Sequence, residues 1–172
     1  MNCDQLLPGG EMDIKELFLK QKQATHQGTL GVLAKIPSDR ISWRPAEGML
    51  ALGEIVRHIW MSEEGVRRVG LEGRWDYYEQ RIPRGLFSIL GAVESLEQEM
   101  GSMERVHRET LRAVAEFPLE RWQEERINEE FKIGRKVFVM LFGINEHQIH
   151  HRAQLGVYLR MLTGQRASPY PL

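Results

Sequence analysis

Three of the chain's six histidines, His147, His150 and His151, stand in the run NEHQIHHRAQ. His147 and His151 are four positions apart. In a helix that leaves them roughly 40° apart around the axis and about 6 Å along it, so both imidazoles can face one ion. A helical HxxxH pair is the spacing used by zinc-binding helices. His150 points roughly 60° away from His147 and roughly 100° away from His151, so it is expected at the surface or behind a ligand. Extended in both directions, the same face reads Met140, Gly143, Ile144, His147, His151, Gln154, Leu155 and Tyr158. It is apolar at its ends and polar in its middle, and buried polar groups need partners. A bound metal would supply one.

Two imidazoles are too few for a firm zinc site, which takes three or four protein ligands. His58 is the strongest candidate for a third, lying among Ile55, Val56, Ile59 and Met61. A hydrogen-bonded core histidine is the alternative reading at that position. His26 and His107 lie among polar neighbours and are expected to face solvent. Glu54, four residues before His58, could orient a ligand or act as a general base, or could simply be a surface residue at a helix start. Gln154 and Tyr158 share the histidine face and could hold a ligand or contact substrate, with core packing the plainer role for Tyr158. Trp75, Tyr77 and Tyr78 could shape a pocket mouth.

These residues need helices to position them. Apolar residues three and four apart predict helices over about 12–36, 50–69, 96–117 and 136–162. Pro37-Ser38-Asp39 stops the first, Gly70 and Gly73 end the second, and Ser95 followed by Gln98 resembles a capping box opening the third. Gly164 stands where a cap for the last belongs, with Pro169 and Pro171 beyond. Residues 37–49 form a turn-rich connector. Residues 73–92 read as a long ordered loop with room for a helical turn, and such loops are often functional. Residues 118–135 form a polar connector with extended character around 127–133. Residues 1–11 read as an N-terminal tail and 12–172 as a single all-α domain, a four-helix bundle with long connectors.

The bulk composition narrows the partners. With 23 Lys plus Arg against 24 Asp plus Glu, the chain lacks the basic excess of a nucleic-acid binder. The one cysteine, Cys3, cannot form an internal disulfide, which suits a reducing compartment. MNCDQLLPGG is not a convincing signal peptide, and no stretch approaches the roughly 18 apolar residues of a membrane span. A soluble cytoplasmic protein acting on a small molecule is the expectation.

Three segments resemble a known family. LGEIVRHIWMSE is similar to the second-helix signature of DinB-like (YfiT-like) proteins. HQIHHRAQLGVYLRMLTG, with Pro169 and Tyr170 beyond it, resembles their last-helix signature, and ISWRPAEGM resembles their Trp-x-Pro connector. Their order and spacing agree over about 20–172. The resemblance implies a four-helix bundle of the DinB/YfiT-like type, frequently a homodimer, with a divalent metal on three histidines. The family triad falls on His58, His147 and His151. Zn²⁺ is the expected ion and Ni²⁺ a possible substitute, because histidine sites discriminate weakly. Some relatives are thiol-dependent enzymes, bacillithiol S-transferases and mycothiol-dependent maleylpyruvate isomerase.

Three imidazoles leave a position open on the ion, as in catalytic sites. Water there would be acidified towards about 7, and a thiol would ionise. The leading expectation is therefore transfer of a low-molecular-weight thiol to an electrophile. A metal-dependent hydrolase using water is the alternative within enzymes. A non-catalytic, stress-related metal- or ligand-binding protein is the alternative outside them.

Overall fold

The computed structural model describes residues 13–85, 87 and 89–165. The expected tail over 1–11 with Cys3, and Pro169, Tyr170 and Pro171 at the other end, lie outside the described residues.

Helix α1 (Ile14–Leu33) begins where the Asp13 carboxylate accepts from Lys15 N at 3.0 Å, satisfying a free amide of the first turn. Helix α2 (Leu52–Arg67) continues into a π-helical turn, Arg68–Glu72, and ends at Gly73 with φ 71°. That left-handed conformation suits glycine, so the predicted stop at Gly73 holds. Within the expected loop, Asp76–Arg81 forms a short helix, α3. Helix α4 (Leu96–Glu116) is capped by Ser95, whose hydroxyl accepts from Gln98 N at 3.4 Å. It stops at Phe117 because the residue before a proline is driven out of helical geometry.

The polar connector holds a 3₁₀ turn, Leu119–Gln123, and an antiparallel hairpin of β1 (Glu125–Asn128) and β2 (Ile133–Lys136). Glu125 pairs with Lys136 and Asn128 with Ile133. Helix α5 (Val137–Thr163) follows directly and closes on Gly164, whose N–H donates to Arg160 O at 2.9 Å.

The four long helices form a ring: α1 packs on α5, α5 on α2, α2 on α4, and α4 on α1. The interior is layered. One apolar end holds Val32, Leu33, Ile55, Ile59, Met103, Leu155 and Leu159. The other holds Phe18, Val114, Phe117, Trp122, Leu141 and Ile144. Tyr158 belongs to the first layer, edge-on to Trp43 of the 37–49 connector at 5.7 Å between centroids.

Between these ends each helix contributes buried polar residues. Lys22 Nζ contacts Glu63 Oε2 and Gln148 Oε1, both at 2.6 Å, and Gln148 Nε2 donates to Thr29 Oγ1 at 3.1 Å. His26 and His107 are not solvent-facing, as their neighbours suggested. Both are buried between α1 and α4, their rings stacked at 3.7 Å and 3° from parallel. The polar neighbours that suggested a wet face meet the rings across the helix boundary instead. His107 Nε2 donates to Gln23 Oε1 at 3.0 Å, and Glu104 Oε1 lies 3.3 Å from His26 Nε2. Among the described residues, no helix is long and apolar enough to cross a membrane.

Candidate metal centre

On α2, His58 and Ser62 are one turn apart and both buried. On α5, His147 and His151 are one turn apart, the first half-buried and the second buried. Because α2 packs against α5, the three rings meet in the polar middle layer. Ring centroids are 4.8 Å apart for His58 and His147, 4.7 Å for His58 and His151, and 4.5 Å for His147 and His151. One nitrogen from each lies within 4.8 Å of the others, a spacing that could hold a metal ion.

The surrounding hydrogen bonds decide which nitrogens are free. His151 Nδ1 lies 2.9 Å from Gln154 Oε1, a carbonyl oxygen that only accepts, so the ring proton sits on Nδ1 and the Nε2 lone pair is free. His58 Nε2 and His147 Nε2 are 3.0 Å apart. Two lone pairs cannot face each other at that distance, so the pair shares one proton or one cation. When a cation takes that place, His58 must carry its proton on Nδ1, and Ser62 Oγ stands 3.3 Å away to accept it. Ser62 Oγ is 3.1 Å from Tyr77 Oη, which accepts from Arg81 Nη1 at 2.6 Å. Both hydroxyls can rotate to serve either polarity. The donor set therefore fits a divalent ion, with the partners of His58 and His151 supplying the orienting contacts that metal-bound histidines use.

Burial is the first cause of low basicity here. It pushes His58 down to about 3 and His147 to about 4, with neighbouring imidazoles and the Arg81 charge adding to the shift. It lowers His151 as well, against the Gln154 contact. All three are neutral near pH 7, the form that binds metal.

Gln154 thus reaches the triad, through His151. Glu54 does not: its Oε2 accepts from Ala51 N at 2.6 Å, closing the first turn of α2, and also meets Arg44 Nη2 at 3.4 Å. His150 is exposed, its ring edge-on to His151. Tyr77 joins the chain to His58, while Trp75 and Tyr78 line a cavity of about 490 Å³ that borders His147, Ser62 and Glu63. Sequence reasoning missed Ser62 and the buried Lys22–Glu63 pair. The signal for Ser62 was its position one turn after His58. For Lys22 it was a lysine in line with Phe18 and Thr29 on the buried stripe of α1.

The comparisons with known proteins agree with this architecture. The Bacillus subtilis (strain 168) protein YjoA is 27% identical over 145 residues, covering 83% of this chain and 84% of that one. The crystal structure of YjoA, a DinB-like protein, superposes with a TM-score of 0.69 at 21% identity, covering 91% of this chain and 96% of that one. A DinB-like protein from Bacillus cereus ATCC 10987 gives 0.66 at 18% identity, over 88% and 93%. The DinB superfamily model matches residues 21–155. That span starts in α1 and ends in α5, takes in all four long helices, and makes the chain a member of the DinB superfamily.

Proposed function

We propose that this protein is a metal-dependent enzyme that transfers a low-molecular-weight thiol to an electrophile. The observation that carries this reading is the position of the triad: three neutral imidazoles, two of them oriented from behind, against a cavity large enough for a small substrate. A divalent ion held there, Zn²⁺ or Ni²⁺, supplies a Lewis acid that favours ionisation of a thiol near neutral pH. The overall change is balanced. The S–H bond breaks and its proton goes to solvent, sulfur bonds to the electrophilic carbon, and the leaving group departs with its electron pair.

The carboxylates favour thiol over water. A hydrolytic site of this kind commonly pairs its ion with a carboxylate base. Here Glu54 caps a helix, Glu63 Oε2 is bound to Lys22, Glu146 stands exposed at the cavity wall, and no carboxylate among the described residues hydrogen-bonds to the triad. A thiol needs only the ion to become nucleophilic. We place the reaction in the cytoplasm, where small thiols stay reduced, and take the working unit to be a homodimer.

The test is turnover by zinc-loaded protein with a panel of small thiols and a model electrophile such as a chlorodinitrobenzene. Thiol-dependent product formation that disappears in His151→Ala is the expected result. No turnover above that variant, with metal bound in the parent, overturns the proposal. Ester or amide cleavage without thiol would indicate the hydrolytic reading instead.

A further inference from the structure

The cavity beside His147 has more chemistry than a bare thiol requires. Trp75 and Tyr78 form one side, and Val139, Met140 and Ile144 form the side from α5. Two arginines also line it, Arg81 from α3 and the exposed Arg135 from β2, whose Nη1 donates to Gly134 O at 2.7 Å. Of the two carboxylates on its walls, Glu63 is neutralised by fully buried Lys22 at 2.6 Å, and Glu146 is exposed. The cavity therefore carries more positive than negative charge.

Arg81 is held by its bond to Tyr77 Oη and lies with its ring partner at 5.4 Å. Its charge helps to lower the basicity of His58, His147 and His151, so it lies within electrostatic reach of the triad. A second hollow of about 380 Å³ shares Tyr78, Arg81 and Ile133 with the first and is walled mainly by apolar groups. Arg81 thus stands where two apolar hollows meet. A guanidinium in such a place matches a carboxylate through paired N–H donors, and it keeps its charge at every working pH.

We infer that the ligand reaching the triad through this cavity is an amphipathic anion, with its carboxylate on Arg81 and Arg135, its apolar body against Trp75 and the α5 wall, and its reactive end at the histidines. This inference rests on the thiol reading of the site and adds the substrate class.

Three thiols of equal length test it: 6-mercaptohexanoate, 6-mercaptohexan-1-ol and 6-aminohexane-1-thiol. Each is titrated into protein loaded with cobalt(II), and binding is read from sulfur-to-cobalt charge-transfer absorption in the near ultraviolet. The carboxylate is expected to bind about fivefold or more tighter than the alcohol, the scale of one partly exposed ion pair, and the amine more weakly than either. In Arg135→Gln, on the exposed hairpin, and in Arg81→Gln, the carboxylate-to-alcohol ratio should fall towards one. Equal binding of all three thiols, preference for the amine, or an unchanged ratio in both variants overturns the inference and leaves the thiol reading standing. Absence of charge transfer from every thiol, with cobalt bound, overturns the thiol reading itself.

Discussion

At the scale of single residues, the site depends on small groups that orient the histidines. Gln154 decides which nitrogen of His151 is free, and Ser62 offers His58 the partner it needs when both Nε2 atoms face an ion. Replacing Gln154 with Ala should therefore weaken metal affinity about ten- to hundredfold without unfolding the chain, because the ring loses both its tautomer and its orientation. Competition against a chromophoric chelator measures this. Affinity equal to the parent would show that Gln154 does not act through His151. Glu54 carries the opposite lesson. A glutamate four residues before a ligand looks like a helper, yet the same spacing puts it three residues after Ala51, where its carboxylate is better used on a free amide of the helix start. Spacing on one helix was enough to pair His147 with His151. The place of His58 depended on how α2 packs against α5, and one helix pattern does not contain that.

At the scale of elements, α3 is the piece that links the cavity to the triad. It docks where α2 has no side chain: a Cβ at Gly65 would collide with the Tyr77 ring. Gly65→Ala should push Tyr77 away, break its contact with Ser62 and cost about 1–3 kcal/mol, the usual penalty of overpacking. Urea unfolding checks the cost, and altered tyrosine absorption checks the displacement. An unchanged midpoint would mean α3 moves aside freely. The long helices were legible because each carries a sustained 3.6-residue pattern and a recognisable stop, such as Gly73, Phe117-Pro118 or Gly164. The short pieces were less so. Six residues of α3 and four-residue strands have too few periods to read, and the hairpin was foreseen only as extended character around 127–133.

At the scale of the whole molecule, the bundle has two apolar ends and a polar middle, and the middle is costly to disturb. Lys22→Met leaves Glu63 buried without its counter-ion and should destabilise the fold by about 3–5 kcal/mol. Adding Glu63→Met should restore much of the loss in thermal unfolding, and a double variant as unstable as the single one would contradict this. The His26–His107 stack makes the same layer sensitive to acid. Burial, first, and the neighbouring histidine and Lys22 hold His107 down near 3, and burial lowers His26 as well, whereas both protonate near 6.5 once unfolded. The unfolded chain thus takes up more protons as pH falls below about 6.5. Stability should drop by about 1.4 kcal/mol per pH unit for each such histidine until its folded value is reached. His107→Gln should lose less stability than the parent between pH 7 and pH 4.5, and identical slopes would refute this. His26 and His107 escaped sequence reasoning for a physical reason: polar neighbours mark solvent or a polar partner helix equally well, and only the packing of α1 on α4 decides between them.

The central claim, that the three histidines of α2 and α5 form one metal site, is tested most directly by elemental analysis of protein purified without a histidine tag and equilibrated with zinc. The parent and His150→Ala should each hold one divalent ion per chain, while His58→Ala, His147→Ala and His151→Ala should each lose it. A parent that binds no ion, or a His151→Ala variant that keeps a full one, would contradict the account.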